Sequence, residues 1–483
     1  MSASREKKNR QDLGAGYLSS KEQKALEEQK ANRRTTVIFA VCSIAFVVAV
    51  IAMFLWNSGT IQRNAAAASV NGTTYTVADV AYYYYNARAN AANSASLDAN
   101  SSMRAQEYTT SEEFDTWYDY LADQAVDNLA HVELVAQAAK ADGFDGSSEV
   151  NDRVNETLDS LKSSATANGY DINGYVKAVF GGLCTRADFE RNLRNAALAE
   201  AYTNARSDVS GYSDAELEAQ YAADPNTYSM VSYESLVIPA SNYAIEAAEA
   251  TDTAPAVEAD DGTAAAKVAA EDTYARYQAG EKLEALATEV NGTYSNTTTL
   301  SATGSDMATW LFDDARKAGD SAVLDYSFYG YSMGSVIVVF HSKERADFRP
   351  IDVRHILVED EAKANDLLSQ FTAGAQTEDA FAALAQDNST DTGSSENGGL
   401  YTGVVPGQMV QSFNDWCFDP ARQSGDTGIV ATDYGYHVMY FVGTHDHAYW
   451  QELAASKLAG DWADSLTANL DTQLLDGMKY IDR

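Results

Sequence analysis

Apolar and polar positions alternate along this chain with several distinct periods. From Val37 to Trp56 there is no alternation: twenty residues (VIFAVCSIAFVVAVIAMFLW) carry no charge. At about 1.5 Å rise per residue such a helix spans about 30 Å, the hydrocarbon thickness of a bilayer. The pattern predicts an uncleaved transmembrane helix over 35–56, followed by a polar and Ala-rich tether over 57–68. A cleaved signal peptide and a buried core helix are the rival readings. The first calls for a shorter apolar run and a shorter leader, and the second for an amphipathic pattern.

Beyond the tether, Ala68-Ser-Val-Asn-Gly-Thr-Thr-Tyr-Thr reads as a brief β segment turning at Asn71-Gly72. Helical spacing then dominates. Phe114, Trp117, Tyr118, Leu121, Ala125, Leu129 and Val132 recur as on one helix face. Ser111-Glu112-Glu113 is the expected N-cap and first turn of that helix, which is predicted over 111–141. Further helices are expected over 149–167 and 188–206, so 69–226 reads as one helical domain. Its run of Tyr82, Tyr83, Tyr84 and Tyr85 suits either a core or an apolar client-binding surface.

Later the chain repeats itself. Trp310–Asp320 (WLFDDARKAGD) and Trp416–Asp426 (WCFDPARQSGD) agree at 7 of 11 positions. Ser232–Val237 parallels Val353–Val358, and Gly330–Val339 parallels the segment from Gly435. Each copy reads strand, helix, helix, turn, strand. Two small α+β domains are expected, at 229–345 and 350–446. The Ala/Glu/Asp-rich stretch 244–270 reads as a solvated insertion in the first or a frayed helix, not a packed element. The segment 448–480 reads as an amphipathic helix that packs back on, and completes, the helical domain. The fold class is therefore α+β with a single N-terminal transmembrane helix.

Charge sharpens this outline. The net charge is −36, but residues 1–34 hold nine bases against five acids, and the remainder 25 against 65. Arg33 and Arg34 precede the apolar run. By the positive-inside rule the N-terminal tail is cytoplasmic and the acidic bulk extracytoplasmic. Such acidity excludes a nucleic-acid binder, which needs Lys and Arg surfaces. Three Cys exclude a disulfide-stapled scaffold. The His445-Asp-His447 spacing is metal-like but lacks an evident third ligand.

Six His are present. His355 lies in the first strand of the second α+β copy and His437 in its last. Strands at the two ends of a small domain can be neighbours, which would bring the imidazoles together. The residues around both resemble the parvulin-type (PpiC, rotamase) peptidyl-prolyl isomerases. The matching stretches are Arg354–Val358, Phe381–Ala385, Ser389-Thr-Asp391, Gly398-Gly-Leu400, Gly407-Gln-Met409, Phe413, Gly425-Asp426 and Thr432–His437.

The resemblance implies a four-stranded antiparallel sheet ringed by helices. It implies His355, Asp391, His437 and Thr432 as the catalytic polar cluster. Leu400, Met409 and Phe413 would form the proline pocket. One departure is evident: the family's Gly-Gly-Asp-Leu-Gly is here Gly398-Gly-Leu-Tyr-Thr-Gly403. The first copy departs further, with Glu234 and Ser332 expected where the two His stand, and is read as degenerate. The start of the helical region, Val70-Asn-Gly-Thr-Thr-Tyr-Thr-Val-Ala-Asp, resembles the N-terminal chaperone domain of SurA/PrsA-type foldases.

The expectation is a membrane-anchored extracytoplasmic isomerase and foldase that turns X–Pro bonds of newly exported polypeptides. It would need no cofactor or metal. The alternative is a holdase-type chaperone with vestigial isomerase activity.

Overall fold

The computed structural model describes residues 20–94, 97–98, 101–247, 258–300, 306–328 and 331–482. The chain divides into two compact units. One runs from the N-terminus to Thr203 and resumes at Trp462; the other is Asn204–Asp461.

In the first unit the apolar run lies inside helix Ser20–Asn57. Its portion Ala40–Asn57 has a mean hydropathy of 2.3 and none of it is buried, so by length and composition it can cross a membrane. A hairpin follows: β1 (Ala66–Val70) and β2 (Thr73–Thr76). Its two-residue loop is Asn71-Gly72, and both residues take positive φ, as a tight primed turn requires. The other edge of β1 is covered by strand Thr472–Leu474. Helices Val77–Ser94, Trp117–Ala141, Ser147–Ala167 and Arg186–Arg206 supply most of the core. Tyr82, Tyr83 and Tyr84 are buried in it, which decides for the core reading of that run.

Two sequence expectations in this unit need correction. The long helix is capped at Thr116, not Ser111. Thr116 and Asp119 exchange backbone and side-chain hydrogen bonds in a capping box, and a Thr-x-x-Asp pattern marks it. The C-terminal helix is Tyr449–Ser465: it does not continue to 480, and as far as Asp461 it belongs to the second unit, so only its last residues and the segment after it complete the helical domain. The chain turns there because Thr472–Leu474 is drawn into the sheet beside β1, where backbone pairing outweighs a further helical turn. Trp462, Ala463, Leu466 and Leu470 still pack into the helical core. Past them, Asp482 is buried, accepting from Arg88 Nη1 at 2.8 Å, the Met103 N–H at 2.8 Å and Ser102 Oγ at 3.1 Å.

The second unit holds two four-stranded antiparallel sheets of one topology. The first comprises β3 (Ser229–Pro239), β4 (Thr293–Thr299), β5 (Ser321–Phe328) and β6 (Tyr331–Arg345) in the order β4-β3-β6-β5. The second comprises β7 (Ile351–Val358), β8 (Leu400–Val404), β9 (Thr427–Thr432) and β10 (Gly435–Thr444) in the order β8-β7-β10-β9. Each is covered on both faces, so its central strands are apolar on alternate and often consecutive positions. In the second sheet Ile356, Val358, Val438 and Tyr440 face helices Glu361–Ala373 and Glu378–Asn388. Val353, Met439 and Phe441 face helix Gln411–Cys417.

Residues 204–228, grouped largely with the helical domain on sequence, pack in this unit. Val209, Leu217 and Tyr228 join Ala346, Trp450 and Ala454 in one cluster. The Ala-rich stretch also departs from expectation in part. Residues 248–257 lie outside the described residues, but helix Thr263–Gln278 begins within it. Ala266 and Ala270 of that helix are fully buried on the first sheet, where small side chains permit close approach. His445, the metal-like His-x-His candidate, sits between two carboxylates, at 3.1 Å from Asp352 and 2.8 Å from Glu452.

Candidate isomerase site

The site begins with strand register. β7 and β10 are antiparallel neighbours, with Met439 opposite His355 and Leu357 opposite His437. The two histidines are thus diagonal on one face, within side-chain reach. Their Nδ1 atoms stand 3.0 Å apart, and both rings are buried. His355 Nε2 is 3.0 Å from Asp391 Oδ2, and His437 Nε2 is 2.9 Å from Thr432 Oγ1. All four residues expected in the polar cluster are therefore contiguous.

Electrostatics orients this chain of bonds. Burial lowers the pKa of both imidazoles, and for His437 the neighbouring His355 adds to it, down to about 4. Both rings are then neutral near pH 7, and each carries one N–H. Burial alone raises Asp391, but hydrogen bonds from Ser394, Tyr401 and the Gly393 N–H, with His355 nearby, outweigh it and hold the carboxyl at about 2. An ionised Asp391 only accepts. His355 therefore donates from Nε2, His437 donates from Nδ1 to His355, and Thr432 donates its hydroxyl proton to His437 Nε2. Every donor points toward the carboxylate.

The depressed His437 value has a testable sign. Between about pH 4 and its ordinary 6.5, the unfolded chain binds a proton here that the folded one refuses. Stability from this group is therefore full above about 6.5 and declines as pH falls through the folded value. NMR titration of His437 is expected to give a midpoint near 4; a midpoint near 6.5 would contradict this account.

Apolar residues border the pair. Phe413 presents its ring edgewise to both imidazoles, with centroids at 5.6 Å from His355 and 5.3 Å from His437. Met409 is half-buried in the same cluster. Its turn is built locally: Gly407 has φ +83 and donates its N–H to Asn414 Oδ1, while Gln408 Oε1 accepts from the Val405 N–H. Thr298 of β4 donates to Pro406 O at 3.3 Å.

Leu400 is not on this face. It lies opposite Arg354, whose guanidinium bonds Glu378 on the face covered by helices Glu361–Ala373 and Glu378–Asn388, whereas Tyr401 lies opposite Val353. Cross-strand partners share a face, so Tyr401 stands beside the imidazoles and Leu400 points away. Counted from Gly398-Gly399, the family's leucine position also falls on Tyr401. Two residues that sequence reasoning passed over thus reach the cluster. Ser394 Oγ donates to Asp391 Oδ2 at 2.5 Å and Tyr401 Oη does so at 2.9 Å. The Ser at three residues past Asp391, and strict strand alternation from Gly399, were the available signals.

In the first sheet the corresponding positions are not those expected. Gly319-Asp320 bonds to Phe340 just as Gly425-Asp426 bonds to Phe441. Phe340 is opposite Tyr233, and Phe441 opposite Val353. His355 therefore corresponds to Ser235 and His437 to Val336, not to Glu234 and Ser332. This copy lacks the imidazole pair.

Residues 336–443 match the family described as PPIC-type PPIase domain. The second sheet and its helices form a parvulin-type domain. Residues 25–203 match the SurA-like N-terminal domain. Among curated relatives, Foldase protein PrsA 1 of Listeria monocytogenes is 35% identical over 130 residues, covering 27% of this chain and 43% of the relative. Foldase protein PrsA 3 of Bacillus cereus is 42% identical over 95 residues, covering 19% and 31%. The chain thus spans less than half the length of the curated relatives it matches. A solved structure of peptidylprolyl isomerase (PrsA) from Bacillus anthracis is 26% identical over 26% of this chain and 54% of its own, with a TM-score of 0.20.

Proposed function

We propose that this protein is a membrane-anchored, extracytoplasmic peptidyl-prolyl cis/trans isomerase and foldase acting on exported polypeptides. The observation that carries the reading is the directed hydrogen-bond chain from Thr432 through two neutral imidazoles to ionised Asp391, laid against the ring of Phe413. Rotation about X–Pro faces a barrier of about 18–20 kcal/mol from amide resonance, and no covalent bond to substrate need form. The twisted amide has less charge separation than the planar one. A proline ring held against Phe413 and Met409, away from water, favours that twisted state. The polar chain presents fixed dipoles to the rotating carbonyl without reorganising. The foldase names of the relatives and the apolar helix Ala40–Asn57 support the role and the anchor. Arg33 and Arg34 support a cytoplasmic N-terminus.

The test is isomerisation of a proline-containing peptide by the full-length protein in detergent. Turnover well above the uncatalysed rate is expected, with Met409→Ala raising KM about tenfold through loss of pocket contact. A wild-type rate equal to the uncatalysed one removes the reading.

A holdase role has one observation of its own. A cleft of about 340 Å³ in the helical unit is lined by Tyr108, Trp117, Tyr120 and Leu121, with Tyr108 and Tyr120 stacked at 4.6 Å. Suppression of client aggregation that survives in Asp391→Ala but fails in Trp117→Ala is the result that favours it.

A further inference from the structure

We propose that Tyr401 is a positioning residue of this site: its hydroxyl ties the Asp391 carboxylate to the sheet while its ring backs the His355 imidazole, so one side chain sets both partners of that hydrogen bond. The inference rests on the isomerase reading for its effect on turnover, but its geometry is independent of it.

The strand that carries Tyr401 is held unusually close to His355. The His355 N–H donates to Gly399 O at 2.9 Å. A Cβ at Gly399 would lie 2.1 Å from His355 O, and Gly398 and Gly399 both take positive φ, so only glycine lets the chain pass here. At the far end of β8 the Gly403 N–H donates to Asp352 Oδ1 at 2.8 Å. Between these fixed points Tyr401 lies opposite Val353, and its ring stacks on His355 with centroids 5.0 Å apart and planes 18° from parallel.

The donors to Asp391 are not equivalent. Ser394 and Gly393 belong to the same turn as Asp391 and move with it. Tyr401 and His355 come from the sheet. His355 is the group to be oriented, so Tyr401 is the donor that fixes the carboxylate relative to the sheet. Leucine, the family's residue at this place, can fill apolar space but cannot donate. The titratable groups facing Asp391 are His355 on β7 and Tyr401 on β8, with His437 of β10 one imidazole farther.

The experiment uses the full-length protein and two substitutions. Tyr401→Phe keeps the ring and deletes the hydroxyl. It is expected to lower kcat about tenfold with KM unchanged, the size of one charge-assisted hydrogen bond. The carboxyl ¹³C titration of Asp391 is expected to move up by about one pH unit. Tyr401→Leu removes the stacking as well and is expected to lower kcat further and shift the His355 ring resonances. An unmoved Asp391 midpoint in Tyr401→Phe overturns the inference, as does an unchanged kcat in an active enzyme. A purely structural role lowers the melting temperature without moving that midpoint, and so also counts against it. The titration needs no turnover. A moved midpoint in a wild-type protein without isomerase activity upholds the positioning role and removes the isomerase reading instead.

Discussion

Alanine at Asp391 is expected to lower kcat/KM for an X–Pro peptide by roughly 10²–10³-fold, the usual loss when one preorganised electrostatic group is removed. The reason lies in the direction of the hydrogen bonds. Asp391 is the terminal acceptor of a chain in which Thr432, His437 and His355 each donate once. Without it His355 Nε2 keeps only Ser394 Oγ, at 3.2 Å, and either tautomer of the pair becomes accessible. The ordering of both rings is then lost together. His437→Ala breaks the same chain at its middle and is expected to cost a similar factor. Because the residues act as a unit, the double variant is expected to be no worse than about the worse single one. Fully multiplicative losses in the double variant would mean the residues act separately.

The second large effect concerns stability. Asp482→Ala is expected to destabilise the helical unit by about 3–5 kcal/mol, the range for breaking a buried ion pair from one side. The Asp482 side chain is 4% exposed and meets Arg88, Ser102 and the Met103 backbone. Hydrogen exchange is the suitable readout. Amides of β1 and of helix Val77–Ser94 are expected to exchange faster, while those of β7 and β10 keep their protection. A change of less than about 1 kcal/mol would mean that the tail is held by its other contacts, the buried Met478 and Ile481 side chains and the hydrogen bonds that Tyr118 and Arg104 donate to its carbonyls.

Much of this was legible in the residues. A charge-free run long enough for a bilayer is a composition signal that no tertiary contact obscures. His355, Asp391, Thr432 and His437 were found because motif spacing survives where strand pairing does not need to be known. What failed was register. The resemblance puts Leu400 in the pocket, yet a shift of one residue along a strand exchanges the faces. The first copy was misaligned by one position at β3 for the same reason. A bulge between Ser232 and Tyr233 and the long β6 hide the correspondence that paired Phe340 and Phe441 reveal. Helix ends erred differently. The amphipathic pattern that includes Trp462 runs on past Ser465 because Leu466 and Leu470 reach the same core from non-helical backbone.

The strand at Thr472–Leu474 also imposes an order in time. The Asp471 N–H bonds Asn71 Oδ1 across 400 residues of sequence, and Thr472 to Leu474 close the free edge of β1. A chain emerging N-terminus first therefore presents β1 long before its partner exists. Residues 204–461 form a compact unit of their own, which can fold in the meantime. The helical unit stays open at that edge until the far end of the chain has crossed. As the chain emerges, the second sheet is thus expected to be finished before the helical unit that precedes it.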